Sequence, residues 1–226
     1  MPLRPLSLLE GRVLGVLVEK AHTVPDSYPL SLNALTLGCN QKTARDPVLN
    51  ATDGEVQIAV DGLKSLHLVF EASGSRVTRY EHNVGRALAL PSQSVALLAV
   101  LLLRGPQTAS ELRANSERIH RFADVSAVEG FLDELAARSD DKGGALVVKL
   151  PRAPGSRESR WMHLLGGPID TSAMPTGANG SGAGDDFIAT TELAALKAQN
   201  GALAGEVAEL RRLVERLYAE LGIAKD

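Results

Sequence analysis

The feature that most constrains this sequence is a weak internal duplication. The segment GSRVTRYEH at 74–82 matches GSRESRWMH at 155–163 in five of nine positions, with Tyr80 aligned to Trp161. Two further pairs precede it in the same order, VLGVLVEK at 13–20 with LLAVLLLR at 97–104 and AVDGL at 59–63 with AVEGF at 127–131. A chain that repeats itself in this way is expected to fold as two copies of one supersecondary unit.

Each copy is predicted to contain three helices followed by two short strands. In the first copy, apolar residues recur at helical spacing over 6–21 and 52–66, and Ser31 suits the N-cap of a short helix that ends near Gly38 or Asn40. Strands are predicted at 66–72 and 76–82, around a Ser-Gly-Ser turn. The second copy repeats this plan with helices near 92–103, 108–114 and 125–137 and strands at 145–150 and 159–165.

This order of elements is that of a winged helix, which is a helix-turn-helix with an appended β-hairpin. We therefore predict a mainly α fold with small β-hairpins, made of two tandem winged-helix domains at 1–88 and 89–166. The low aromatic content, 4% beside 44% hydrophobic residues, is typical of helices packed on aliphatic side chains.

The C-terminal part differs in composition. Residues 1–165 carry 19 basic and 18 acidic side chains, whereas residues 166–226 carry 5 and 9, so the formal charge of -3 comes from the tail. The stretch 167–186 is rich in glycine and poor in apolar residues, which predicts a flexible linker. A coiled-coil helix is predicted after it, at 187–224.

Apolar residues in this last helix step by three and four without a break. The predicted dimerisation residues are Leu193, Leu196, Asn200, Leu203, Val207, Leu210, Val214, Leu217 and Leu221. Valine at a positions, leucine at d positions and one buried asparagine favour a parallel homodimer. The alternative is an amphipathic helix that folds back on its own chain, because the linker permits either arrangement.

Several of these segments resemble a known family. The block YPLSLNALTLGCNQKTARDPV at 28–48 is the most distinctive, and LLLRGPQTASELR, the hairpin GSRVTRYEH and the ending SRWMHLL add to the match. Over residues 6–166 they resemble the YceH-like family of bacterial proteins. The resemblance implies a tandem winged-helix protein, and it brings no activity, ligand or catalytic residue with it.

The composition argues against several functional classes. Cys39 is the only cysteine, so we expect a reducing cytoplasmic setting and neither a disulfide nor a cysteine-ligated metal. The N-terminus lacks the pattern of a signal peptide, and no apolar run is long enough to span a membrane. The five histidines lack metal-binding spacing, and no phosphate-binding loop is present. We therefore expect neither enzymatic activity nor a cofactor.

Basic side chains in the two predicted wings, in the loop 40–47 and before the last helix of the second copy are candidates for contacting DNA phosphates. These residues are Lys42, Arg45, Arg76, Arg79, Arg118, Arg121, Arg157 and Arg160. Structural alternatives remain for them. The wing arginines would pair with acidic helices or stay solvated, Arg45 would pair with Asp46, and the pair before the last helix would mark a solvated helix end.

The predicted third helix of each copy argues against base reading in the major groove, because the local charges are -2 and -3. Phosphates repel carboxylates, and aspartate or glutamate reads only cytosine well. Two functions follow. The first is a dimeric, DNA-associated or transcription-regulatory protein that uses its basic wings. The alternative is a protein-interaction scaffold, which resembles the use of tandem winged helices in bacterial chromosome-condensation accessory subunits.

Overall fold

The computed structural model of the chain describes residues 3–72, 77–152 and 156–167. The predicted coiled-coil helix with its dimerisation residues, Arg76 of the first wing, and the predicted linker beyond residue 167 lie outside these ranges. Those predictions therefore stand on the sequence alone.

Seven α-helices and five short strands occupy the described ranges. They are α1 Leu8–Thr23, β1 Leu30–Ser31, α2 Leu32–Cys39, α3 Asp53–Ser65, β2 Val69–Ala72, β3 Arg79–His82, α4 Val84–Ala87, α5 Ser92–Arg104, α6 Ala109–Ser116, α7 Val125–Ala136, β4 Val147–Lys149 and β5 Trp161–His163. Two 3-10 turns, Pro25–Ser27 and Asp140–Lys142, lie in the connections. The order of helix, helix, helix and hairpin occurs twice.

Short-range side-chain bonds fix where the helices begin. Ser7 caps α1: its hydroxyl accepts the Glu10 N–H at 3.1 Å, and the Glu10 carboxylate accepts the Ser7 N–H at 2.8 Å. Thr52 with Glu55 and Thr108 with Glu111 form the same capping box at α3 and α6. Such boxes satisfy backbone donors that a helix start otherwise leaves unpaired.

Two small antiparallel sheets close the two copies. In the first, β3 pairs with β2 on one side and with β1 on the other, and Leu30 lies opposite Tyr80. In the second, β4 pairs with β5, and Gln107 forms an isolated bridge to Trp161. The two aromatic residues that align in the duplication thus make equivalent pairings, each with a residue that precedes the second helix of its copy.

The core lies where α1 packs against α5. Residues 10–18 of α1 and 94–103 of α5 are all buried, so both helices are surrounded by other elements. Gly15 lets the two helices approach closely, because a Cβ added there would lie 2.9 Å from Cγ of Leu103 and 3.3 Å from the carbonyl oxygen of Ala99. Gly11, one turn earlier, lies against Leu102 in the same way.

The prediction of a mainly helical fold with small antiparallel strands is confirmed for the described residues. The first helix starts two residues later than predicted, at Leu8, because Ser7 is its cap. The hydrophobic pattern missed β1 and α4. β1 is only two residues long, which is too short to show the alternation of apolar and polar residues that marks a strand. It forms only by pairing with β3, which is distant in sequence. No described helix combines the length and apolar character needed to cross a bilayer.

We predict opposite effects for two glycine-to-alanine substitutions. Gly15→Ala should lower the free energy of unfolding by about 1 to 3 kcal/mol, because its methyl group crowds Leu103 and the backbone of α5. Gly130→Ala in α7 should raise it by about 0.5 to 1 kcal/mol, since a Cβ there meets no atom within 4 Å. Urea titration measures both. Equal effects would contradict the close helix contact.

Candidate interaction surfaces

One exposed face of α3 combines carboxylates with an apolar residue. Glu55, Ile58 and Asp61 follow each other at a spacing of three, which places them on one side of the helix. The Ile58 side chain is 74% exposed. Lys64, the one cation of this helix, forms ion pairs with Asp61 at 3.7 Å and with Glu71 of β2, so its charge is already compensated. The face therefore offers negative charge around an exposed aliphatic group.

The exposed face of α7 is acidic without compensation. Glu129, Asp133 and Glu134 are exposed, and no lysine or arginine in the described ranges lies within ion-pair distance of them. Asp133 and Glu134 occupy the last turn of the helix, where the macrodipole disfavours negative charge. These carboxylates therefore do not stabilise their own helix, and they remain free to contact another molecule.

Most of the basic residues predicted as DNA contacts are exposed. Lys42, Arg118 and Arg157 are exposed and have no carboxylate within ion-pair distance in the part of the chain that the structure describes. Arg121 lies 3.9 Å from Glu117, and Arg160 lies 3.8 Å from Glu111 of α6. Such exposed pairs contribute little to stability, so both arginines remain available to a partner.

Arg79, the first residue of β3, is half-buried and has a structural role. Its Nη1 donates to the carbonyl oxygens of Pro29 at 2.7 Å and Ser27 at 3.3 Å. These bonds attach β3 to the turn that precedes β1. The arginine therefore supports the three-stranded sheet, and only part of its donor capacity faces solvent.

Arg45 must be removed from the candidate DNA contacts. Its side chain is fully buried, and it pairs with Glu19 of α1 at 2.6 Å rather than with Asp46. Its Nε donates to the carbonyl oxygen of Gly38 at 3.1 Å, and Nη2 also donates to Gln41. Burial alone would raise the pKa of Glu19, but the Arg45 guanidinium holds it below its usual value. The sequence pattern missed this ion pair because the partners are distant along the chain.

A second buried arginine, Arg12 of α1, was not predicted. It is fully buried, and its guanidinium donates to the carbonyl oxygens of Cys39 at 3.0 Å and Pro47 at 2.6 Å. Burial, with the nearby charge of Arg45, holds the pKa of Arg12 below its ordinary value. An arginine inside the apolar run of α1 was the signal for such a role.

The loop 40–47 is thus held at both ends and in its middle. Asn40, the C-cap residue of α2, exchanges two side-chain bonds of 2.8 Å with the backbone of Ala51. Cys39, just before the loop, is buried, and burial raises the pKa of its thiol to about 12. A protonated, inaccessible thiol is a poor nucleophile.

Comparison of the sequence with known proteins shows the family to which the chain belongs. The family model described as a protein of unknown function, DUF480, matches residues 6–156. The chain belongs to the DUF480 family. A UPF0502 protein of Burkholderia multivorans is 62% identical over 224 residues, which cover 99% of this chain and 92% of the relative. One of Leptothrix cholodnii is 60% identical over 227 residues, with 99% and 98% covered. The resemblance to a family of uncharacterised bacterial proteins is thereby confirmed.

This DUF480 chain also buries two equivalent histidines. His82 and His163 end the last strand of each copy, and Nδ1 of each is buried without a hydrogen-bond partner among the described residues. Burial lowers the pKa of His82 to about 4 and also lowers that of His163. Both imidazoles are therefore neutral near pH 7. Within the same ranges, no three His, Cys, Asp or Glu side chains converge as metal ligands.

These histidines predict a loss of stability on mild acidification. Because their pKa values are depressed in the folded state, their contribution is complete above the unfolded value of 6.5 and is lost as the pH falls toward about 4. Between pH 7 and pH 5 the free energy of unfolding should fall by about 2 kcal/mol for His82. Urea titration at the two pH values should show a smaller fall of the free energy of unfolding in His82→Gln than in the unsubstituted chain. The exposed control His67→Asn should show the same fall as the unsubstituted chain. An unchanged fall in His82→Gln would contradict this account.

Proposed function

We propose that this DUF480 protein is a non-enzymatic interaction scaffold in which the exposed faces of α3 and α7 bind a basic segment of a protein partner. One observation carries the proposal. Both helices present carboxylates to solvent: those of α7 have no ion-pair partner in the described ranges, and those of α3, although bonded within their own copy, flank the exposed Ile58. Charge of one sign around an exposed apolar group favours an amphipathic partner of opposite charge.

The proposal assigns each copy to the winged-helix class. The order of three helices and a hairpin, present at Leu8–His82 and again at Ser92–His163, supports this assignment. Winged helices that bind DNA usually place the third helix in the major groove. In this chain α3 and α7 take that place in the order, and their carboxylates would meet phosphates on both sides of the groove. A protein surface is the better complement for these two helices.

Contact with the DNA backbone is the second candidate function. It is favoured by the exposure of Lys42, Arg118 and Arg157, none of which is neutralised by a carboxylate in the described ranges. Binding of this kind would be insensitive to sequence and strongly weakened by salt. It would involve the loop 40–47, the connection between α6 and α7 and the second predicted wing rather than the third helices.

Neutral substitutions on α7 test the protein-partner proposal. We expect proteins captured from lysate by the full chain to be lost with the triple variant Glu129→Gln, Asp133→Asn, Glu134→Gln, because the acidic face provides the attraction. The matched control is Asp140→Asn with Asp141→Asn, which removes exposed carboxylates from a turn outside α7. Capture measured by quantitative mass spectrometry should persist with the control. Loss in both variants, or in neither, would contradict the proposal.

A DNA-binding assay distinguishes the two candidate functions. We expect no binding of a short mixed-sequence duplex at low salt, measured by fluorescence anisotropy. The opposite result would be binding of the duplex by the full chain, lost in the triple variant Lys42→Ala, Arg118→Ala, Arg157→Ala and kept in the α7 variant that lacks the three carboxylates. In that case contact with the DNA backbone replaces the protein-partner proposal.

We further propose that the chain is a homodimer through residues 187–224, on the strength of the heptad pattern. Removing residues 186–226 should leave a folded monomer, whereas the full chain should have twice the monomer mass. Light scattering measures the mass, and circular dichroism checks that the shortened chain is folded. The matched variant Leu203→Lys with Leu210→Lys should also be monomeric. A truncated chain that still has twice its own monomer mass, or a full chain that has only the monomer mass, would overturn the dimer.

A further inference from the structure

A cavity of about 390 Å³ lies between elements of the two copies. It is bounded by the start of α1, the loop 40–47, the end of α5 and β5. Much of its wall is apolar, with Leu102, Pro106 and Met162 among the residues, while Asp46 and His163 are the ionisable residues that line it. Its size is near the lower end of the range for pockets that take small organic ligands.

Asp46 is held rigidly at this wall. Its backbone N–H donates to the carbonyl oxygen of Leu103 at 2.8 Å. The next residue, Pro47, is fixed through its carbonyl oxygen by the buried Arg12 at 2.6 Å. The loop is therefore anchored to α5 on one side of Asp46 and to α1 on the other. The backbone position of Asp46 is therefore set before any ligand arrives.

The Asp46 carboxylate itself has no direct partner. No side chain in the described part of the chain hydrogen-bonds to it or lies within ion-pair distance, and only a longer-range attraction to Arg12 involves it. A Cβ added to Gly105 would lie 3.5 Å from Oδ2, so this oxygen lies beside another residue of the cavity wall. The carboxylate thus remains free to pair with a cation.

His163 adds a second polar group to the wall. Its Nδ1 is buried and lacks a partner in the described ranges, whereas the rest of the site is largely apolar. Because Nδ1 is closed to solvent, a ligand in the cavity meets other atoms of the His163 ring. A neutral imidazole offers one acceptor nitrogen, so the group complements a donor rather than an anion.

We propose that this cavity, here called the inter-copy pocket, binds a small organic cation with an apolar body. An ammonium or guanidinium group pairs with the Asp46 carboxylate, beside the neutral imidazole of His163. The hydrocarbon body lies along Leu102 and Met162. This inference is independent of the partner proposed for α3 and α7, because none of the pocket residues lies on those helices.

Three probes of equal shape and different charge test the inter-copy pocket. They are cyclohexylmethylamine, cyclohexylmethanol and cyclohexanecarboxylate, each titrated into the full chain and followed by amide chemical shifts. We expect the amine to bind about fivefold or more tightly than the alcohol, because only the amine pairs with Asp46. The carboxylate should bind weakest. The shifts should centre on Gly105, Met162 and Gly166, which line the pocket.

Substitutions locate the charge that is responsible. Asp46→Asn should remove the preference for the amine over the alcohol, whereas Asp26→Asn, at an exposed position outside the pocket, should leave it unchanged. Leu8→Trp provides a second variant that does not depend on Asp46, since Leu8 is 57% exposed and lines the pocket. It should weaken binding of all probes by narrowing the entrance. Circular dichroism confirms that each variant is folded.

The alternative results are equally definite. Equal affinity for amine and alcohol, an undiminished preference for the amine in folded Asp46→Asn, or shifts spread over surface carboxylates would each overturn the inter-copy pocket. Absence of binding by all three probes would overturn it as well. None of these results affects the capture experiment on α7, so failure of one proposal is distinguishable from failure of the other.

Discussion

The close contact between α1 and α5 is the constraint on which the rest of the fold depends. Gly11 and Gly15 remove the side chains that would hold these helices apart, and the leucines of α5 fill the space. Each helix is the first of its copy, so this single contact joins the two copies through their most buried elements. The loop 40–47 hydrogen-bonds to both helices, so its position depends on the same contact. The inter-copy pocket is the space that remains at its edge.

Two buried arginines explain why the most distinctive block of the sequence has a structural role. Arg12 and Arg45 donate to backbone carbonyls at both ends of the loop 40–47, and Arg45 also pairs with Glu19. Burying a guanidinium is costly unless its donors are satisfied, and these bonds, which leave only Nε of Arg12 without a partner in the described ranges, therefore hold the loop in place. The same bonds fix Asp46 at the wall of the pocket. The loop 40–47, in which the sequence offered Lys42 and Arg45 as DNA contacts, therefore has a mainly structural role through the buried Arg45.

The exposed charges that bear on the two candidate functions lie on different elements. Carboxylates occupy the outer faces of α3 and α7, while the exposed cations Lys42, Arg118 and Arg157 lie outside these two helices. The near-neutral balance of residues 1–165 conceals this separation. The acidic residues in the last turn of α7 have no ion-pair partner in the described ranges and are disfavoured by the helix macrodipole. A cationic segment of a partner would compensate their charge. This asymmetry is why we rank a protein partner above DNA.

The sequence by itself determined the longer helices, the Ser31 cap of α2 and the doubled order of elements, because these depend on local spacing and on side chains within one turn. It also located the acidic faces of α3 and α7, since three- and four-residue steps define a helix surface. The tertiary structure alone decided the buried ion pair of Arg45 with Glu19, the burial of Arg12, the pairing of β1 and the existence of the inter-copy pocket. Each of these joins groups that are distant along the chain, and local periodicity carries no information about such contacts.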